Sequence, residues 1–128
     1  MIALSIRRIF LARAVVDMRK SFDSLIDLAQ HRLVHDPHGG DAFVFVGRDR
    51  RRLKVLVWDR DGFWVLAKRL ERGAFALPLP ALASSSCDAL ELDRAAWALL
   101  LDGITMLAAK RSRHYSHIPV NSTDGLSR

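Results

Sequence analysis

Three short apolar segments, each separated from the next by a turn signal, restrict the fold of this chain more than any other feature. Residues 42–46, 53–58 and 62–70 are rich in β-branched and aromatic side chains, which is typical of strands. Residues 47–52 lie between the first two, and Asp61-Gly62 favours a type I′ hairpin between the last two. The pattern therefore predicts an antiparallel meander of at least three strands.

Two helices are expected beside this meander. The first is predicted over residues 18–33 with Asp17 as its N-cap, and the second over 92–102 with Asp93 as its N-cap and Gly103 as its stop. The apolar row expected to face the core in the first helix is Phe22, Leu25, Ile26, Ala29 and Leu33. The residues expected to pack on the sheet from the second are Ala96, Trp97, Leu99 and Leu100.

The remaining segments complete an α+β fold, in which a small antiparallel β-meander of three or more strands packs against two helices. A short strand is predicted at residues 9–11, and a further extended piece near Gly73 and Phe75. Pro78 and Pro80 are expected to interrupt regular structure between the sheet and the second helix.

Length and composition favour one domain in a reducing compartment. The chain has 128 residues, half of them hydrophobic, and we expect a single α+β domain over 1–107 followed by a disordered basic tail over 108–128. No apolar run approaches the length of a membrane span. With Cys87 as its single cysteine the chain cannot form an internal disulfide, which fits the cytoplasm.

Positive charge is concentrated in one part of the chain. The formal net charge is +6, and residues 47–72 alone hold nine Lys and Arg against four Asp and Glu, a net charge of +5. Basic charge that is concentrated in one segment produces an electrostatic field that attracts polyanions. The sequence therefore predicts a surface that binds nucleic acid.

The cations expected to make this contact lie in three places. They are the segment around the turn between the first two strands, the end of the third strand and the start of the first helix. Five of the cations lie in the seven residues Arg48–Lys54 at the tip of the first hairpin, where they can contact phosphates or merely keep a hairpin soluble. The third strand brings three more close by, and two at the first helix start oppose the helix dipole. The predicted nucleic-acid-binding residues are Arg19, Lys20, Arg48, Arg50, Arg51, Arg52, Lys54, Lys68, Arg69 and Arg72.

Aromatic residues on the same strands allow two interpretations. Trp58, Phe63 and Trp64 could stack on bases, but aromatic residues alternating along strands more often belong to a core. Alternation sends Phe63 to one face and Trp64 with Leu66 to the other, and both faces are expected to be partly covered.

Catalytic and metal-binding patterns are weak. His31 and His35 stand four residues apart, with His38 following, but this spacing is generic and we predict neither a metal nor a cofactor. A two-metal nuclease needs carboxylates that converge, whereas Asp17 and Asp61 already have cap and turn explanations. No Ser-His-Asp pattern or phosphate-binding glycine loop is present, so enzymatic activity is not expected.

The order of several motifs resembles a known family. The motifs are Val16-Asp-Met-Arg-Lys-Ser-Phe-Asp-Ser-Leu25, Asp36-Pro37, Ala42-Phe-Val-Phe-Val46, Leu53-Lys-Val-Leu-Val-Trp-Asp59, Asp61-Gly-Phe63, Ala67-Lys-Arg-Leu-Glu-Arg-Gly-Ala-Phe75 and Leu99-Leu-Leu-Asp-Gly-Ile104. Together they look like the TnpB-type accessory protein, the second open reading frame of insertion sequence 66 transposable elements. The resemblance runs from about Ile9 to Ile104.

This resemblance implies a bacterial protein that acts beside a separate, larger DDE transposase and binds DNA without catalysing a reaction. The basic residues that match the family pattern are Arg19, Lys20, Lys54, Lys68, Arg69 and Arg72, while Arg50–Arg52 match a basic turn of looser pattern. The alternative is a protein-interaction module that docks on the transposase or self-associates without contacting DNA.

Overall fold

A five-stranded mixed sheet forms the centre of the protein. The structure is a computed structural model and describes residues 5–102. The strands are β1 (Ile9–Ala12), β2 (Ala42–Val46), β3 (Arg52–Asp59), β4 (Gly62–Arg69) and β5 (Ala89–Leu92). Their order across the sheet is β4-β3-β2-β1-β5. The predicted stop at Gly103 and the predicted tail at 108–128 lie outside the described residues.

The predicted antiparallel meander is confirmed, and so is the α+β class. β2 pairs antiparallel with β3, and β3 with β4, in the order of the chain. β1 adds a feature that the meander does not contain, because it pairs parallel with β2 and antiparallel with β5. All five residues of β2 are buried, as expected for a central strand covered on both faces.

One strand and one helix were not predicted. The sequence indicates a loop followed by a helix from Leu92, but β5 forms over Ala89–Leu92 because β1 offers it an edge. Pro78 and Pro80 do not interrupt regular structure: they stand at the start of a short helix, α2 (Leu79–Ser84). Proline fits the first turn of a helix, where its missing N–H would have no intrahelical partner.

The first helix begins four residues later than predicted, at Phe22. Helix α1 (Phe22–Asp27) continues as a π-helical turn (Leu28–Arg32), in which the Leu33 N–H donates to the Leu28 carbonyl over 2.9 Å. Asp17 does not cap this helix, because its carboxylate accepts the backbone N–H and the guanidinium of Arg19 in a separate turn.

The buried row of this helix is narrower than predicted. Leu25, Ala29 and Leu33 are buried and recur every four residues, a spacing that suits the wider π winding. Phe22 was expected in the row but is 47% exposed, since it lies in the first turn and off this line.

The second predicted helix is α3 (Arg94–Asp102), and its predicted N-cap is confirmed. The Asp93 carboxylate accepts the Ala96 N–H over 2.7 Å. Leu100 is buried and Trp97 half-buried, at i and i−3 on one face. Leu99 was expected to pack on the sheet but is 65% exposed, because it lies about 100° around the helix from Leu100.

The sheet separates two apolar cores. On one face α2 and α3 cover a cluster that includes Val44, Val55 and Leu100. On the other face α1 covers a cluster that includes Phe43, Leu56 and Leu25. Alternate residues of β2 and β3 therefore enter opposite cores, which fixes the register of the central strands.

The hairpin between β3 and β4 is confirmed, but its predicted turn type is wrong. Asp59 pairs with Gly62, so the two loop residues are Arg60 and Asp61 rather than Asp61 and Gly62. Of these two, only Arg60 has a positive φ, at 58°, whereas a type I′ turn requires a positive φ at both central positions.

A buried carboxylate joins the chain before β1 to the start of β2. Asp41 is 2% exposed, and its oxygens accept the Arg7 guanidinium at 3.3 Å and the Arg8 guanidinium at 3.0 Å. Backbone bonds from Arg7 N–H to the Gly40 carbonyl and from Ala42 N–H to the Arg8 carbonyl run alongside. Burial raises the pKa of the Asp41 carboxyl, but the hydrogen bonds from Arg8 and Arg7 outweigh it and hold the pKa below its ordinary value.

We expect Asp41→Asn to lower the free energy of unfolding at neutral pH by about 1–3 kcal/mol, since it removes charged hydrogen bonds from a buried acceptor. The folded-state pKa of Asp41 is depressed, so its contribution is complete above the ordinary aspartate pKa and lost as pH falls through the folded value. The stability difference between the two proteins should therefore shrink in acid. Thermal unfolding measured across pH checks this, with exposed Asp88→Asn as the control. An equal loss of stability at acid and neutral pH would contradict it.

Candidate nucleic-acid interface

The basic turn between β2 and β3 is stabilised by hydrogen bonds to its one acidic residue, Asp49. The Asp49 carboxylate accepts the Arg51 N–H over 3.0 Å and the Arg52 guanidinium over 3.3 Å. Its pKa is lowered, first by the backbone hydrogen bond from Arg51. The Arg50 N–H closes the turn on the Gly47 carbonyl, with Arg50 at a positive φ of 57°. Sequence reasoning did not single out Asp49, although Asp in a tight turn commonly bonds the backbone two residues on.

Residues 70–75 are fastened to this turn. The Leu70 N–H donates to the Arg51 carbonyl and the Phe75 N–H to the Arg50 carbonyl, each over 2.7 Å. The Arg51 guanidinium closes the arrangement by donating to the Glu71 carbonyl over 2.8 Å. These bonds bring Arg72 beside the turn, so two basic segments that are separate in the chain form one structural unit.

Three of the predicted contact residues bind backbone carbonyls. Besides Arg51, the Lys54 ammonium donates to the Lys20 carbonyl over 2.7 Å. The Lys68 ammonium donates to the Leu101 carbonyl over 3.0 Å. This bond joins β4 to α3, so Lys68 supports the fold as well as carrying charge.

Three more predicted residues have acidic neighbours. The Arg19 guanidinium lies 2.7 Å from the Asp17 carboxylate, Arg52 pairs with Asp49, and Arg69 lies 3.3 Å from Glu71. The side-chain hydrogen bond from Arg19 holds the pKa of Asp17 well below its usual range. Exposed pairs of this kind contribute little to stability, so a phosphate can replace the carboxylate at modest cost.

The last four predicted residues have exposed side chains. Within residues 5–102, their side chains make neither an ion pair nor a hydrogen bond. They are Lys20, Arg48, Arg50 and Arg72.

An open depression of about 380 Å³ lies beside these cations. It is lined by Met18, Arg52, Leu53, Lys54, Ala67, Lys68, Arg69 and Glu71. Arg52 stands directly opposite Arg69 in the β3–β4 register, and Lys54 follows two residues along on the same face. Like charges directly opposite each other disfavour a sheet, and here each arginine also has a carboxylate neighbour, Asp49 for Arg52 and Glu71 for Arg69.

The aromatic residues divide between a cluster and an exposed face. Trp58, Phe63 and His38 pack together with ring centroids 4.7–5.1 Å apart. Trp64 is 39% and Leu66 36% exposed on the other face of β4, and the Trp64 indole N–H donates to the Asp59 carboxylate. None of these aromatic side chains lines the basic depression.

The two histidines weighed as metal ligands have other partners. His31 lies 2.8 Å from the Asp27 carboxylate, and His35 bonds the Leu33 carbonyl and packs on the Phe10 ring. In the part of the chain that the structure describes, no three His, Cys, Asp or Glu side chains come together that could hold a metal ion. No helix among these residues is long and apolar enough to cross a membrane.

Comparison with known proteins finds relatives over most of the chain. Two relatives come from Sinorhizobium fredii (strain NBRC 101917 / NGR234). The uncharacterized protein y4jC is 33% identical over 81% of this chain and 85% of its own length. The uncharacterized protein y4hO is 37% identical over 76% of this chain and 80% of its own length. No solved structure matches.

The family comparison covers every element described above. The model of the IS66 Orf2-like proteins matches residues 7–111, which include all five strands, the three helices and the ten predicted nucleic-acid-binding residues. The resemblance seen in the sequence motifs is thereby confirmed. This chain belongs to the IS66 Orf2-like family and is an insertion-sequence-associated accessory protein.

Proposed function

We propose that this protein binds the DNA of its insertion sequence and acts without catalysis, beside a separate DDE transposase in the bacterial cytoplasm. The contact is made by a basic surface that consists of Arg48, Arg50, Arg52, Lys54, Arg69 and Arg72. Lys20 and Arg19 extend this surface to the start of α1, since the bond from Lys54 to the Lys20 carbonyl joins the two regions.

The observation that carries the proposal is the placement of Arg52 opposite Arg69 above the depression. Four basic residues and one acidic residue line this depression, so its electrostatic potential favours anions. A duplex presents phosphates at regular spacing, and every cation that neutralises one releases counterions. A phosphate backbone can replace Asp49 and Glu71 as the partner of these two arginines.

Four of the described carboxylates are engaged within the fold, which favours a binding role over a catalytic one. Asp17 and Asp49 are paired with arginines in turns, and Asp41 is buried between two guanidinium groups. Asp59 accepts the indole N–H of Trp64. Each has a structural partner, and they lie in different parts of the fold rather than around one centre.

A second candidate is a protein-interaction module, favoured by one observation. Trp64 and Leu66 expose apolar surface on β4, away from the basic surface. Such surface marks a protein contact more often than a nucleic-acid contact. The cations would then meet an acidic patch of the transposase instead of DNA.

We expect the triple variant Arg48→Glu, Arg50→Glu, Arg72→Glu to lose at least about tenfold in affinity for duplex DNA. These three side chains have no partner within residues 5–102, so the fold should remain intact. The slope of log affinity against log salt should fall by about 2.7, roughly 0.9 for each lost phosphate contact. Fluorescence anisotropy with labelled element-end and random duplexes, each over a salt series, measures both quantities.

The matched control is Arg13→Glu, Arg32→Glu, Arg94→Glu, which changes the net charge equally at exposed positions away from the turn. It should retain most of the affinity. Unchanged binding by the first triple would overturn the DNA contact, and equal loss in both would reduce it to an effect of net charge. Repeating the titration with the partner transposase tests the second candidate: loss of transposase binding alone would favour protein docking.

Arg51 should behave differently from its neighbours in the turn. We expect Arg51→Gln to lower the free energy of unfolding by about 1 kcal/mol, because it removes the hydrogen bond that fastens the Glu71 carbonyl to the turn. Arg48→Gln should leave stability unchanged. Chemical denaturation of the two variants compares them, and equal stability would show that the guanidinium bond contributes nothing to the fold.

A further inference from the structure

Strand β4 forms an edge of the sheet, and its central residues are uncharged. It ends the sheet order, and its backbone faces no other strand on its outer side within residues 5–102. Edge strands in soluble proteins are usually short or carry charges that prevent further pairing. β4 has eight residues, and the five at 63–67 carry no charge. Trp64 and Leu66 are partly exposed on one face of this stretch.

The hydrogen bonding to β3 shows which backbone groups of β4 point outward. The Leu70 N–H donates to the Arg51 carbonyl, so the even-numbered residues of this strand face β3. The odd-numbered residues Phe63, Val65, Ala67 and Arg69 consequently direct their N–H and C=O groups to the open edge. Among residues 5–102 these groups have no backbone partner, so they form a row of donors and acceptors that a further strand can satisfy.

The charges at the two ends of β4 indicate what that strand is. Asp61 precedes it, and Lys68 and Arg69 end it, with opposite sign. A second copy laid antiparallel and centred on Val65 sets Asp61 of each chain opposite Arg69 of the other. A parallel copy would place Asp61 beside Asp61 and Arg69 beside Arg69. The strand is therefore complementary to itself in the antiparallel direction alone.

We propose that two copies of this chain form a symmetric dimer by antiparallel pairing of their β4 strands about Val65. Val65 pairs with Val65 of the second copy, and Phe63 with Ala67. Trp64 lies opposite Leu66 on the face where both are exposed, and the two-fold axis repeats this pair. The exposed apolar residues of both copies then form one continuous patch, and the two sheets become a single ten-stranded sheet.

The other edge of the sheet does not share these properties. β5 has four residues, and Glu91 interrupts its apolar sequence. A short edge with a charge in it is protected against pairing. Dimerisation through β4 also leaves Arg48, Arg50 and Arg72 of each copy at the surface, on the turn beyond the strand end.

Sedimentation velocity of the full chain without nucleic acid tests the dimer. We expect reversible dimerisation, and we expect Leu66→Lys to raise the dimer dissociation constant at least about tenfold, since two Trp64–Leu66 pairs are lost at once. Leu99→Lys is the matched control, because Leu99 is 65% exposed on α3 and takes no part in the pairing. Circular dichroism shows whether each variant is folded. A wild-type chain that stays monomeric at every concentration, or equal effects of the two substitutions, would overturn the proposal.

Charge exchange tests the register independently. Asp61→Arg and Arg69→Asp should each weaken the dimer, because each places like charges opposite one another twice. Together they should restore it to within about threefold of the wild type. Failure of the double variant to recover, with both single variants folded, would rule out pairing centred on Val65. None of these measurements involves DNA, so their outcome is separate from that of the proposed DNA contact.

Discussion

The carboxylate of Asp41 is the interaction on which the arrangement of the sheet depends. It is buried at the start of β2 and holds Arg7 and Arg8, which immediately precede β1. This contact places β1 parallel to β2, a pairing that no tight turn could produce. β5 in turn pairs with β1, so one side of the sheet is built outward from this ion pair. Because the guanidinium groups reach solvent while the carboxylate does not, the charge is buried without being isolated.

The sequence predicts the elements that depend on contacts between near neighbours. It does not predict the elements that depend on pairing between distant residues. Segments rich in β-branched and aromatic residues predict β2, β3 and β4, and Asp93 predicts the start of α3, because these signals act between near neighbours. Ala89–Leu92 becomes a strand only through an edge supplied by residues far away in the chain. The late start of α1 depends on Arg19, which binds Asp17 and so removes it as a cap.

The same distinction holds for the candidate site, because the sequence predicts which residues are charged but not what each of them contacts. The sequence identifies the cations as a set, since their density in residues 47–72 is plain. It does not show which of them bind carbonyls, because Lys54 reaches a residue 34 positions earlier and Lys68 one 33 positions later. It also cannot show that Arg52 and Arg69 face each other, since that depends on the register of two strands. The number of charges follows from the composition. The tertiary structure decides which of them bind groups within the fold and which remain exposed.

The bonds from Leu70 and Phe75 to the Arg51 and Arg50 carbonyls have a thermodynamic consequence for recognition. A free basic loop must lose backbone entropy when it meets a polyanion, at a cost of about 1–2 kcal/mol for each residue that becomes fixed. Here the folding of the sheet has already fixed the backbone on which these cations stand. In the proposed DNA contact only the ends of the side chains remain to be ordered, so the turn is preorganised and we expect more of the electrostatic attraction to remain as affinity.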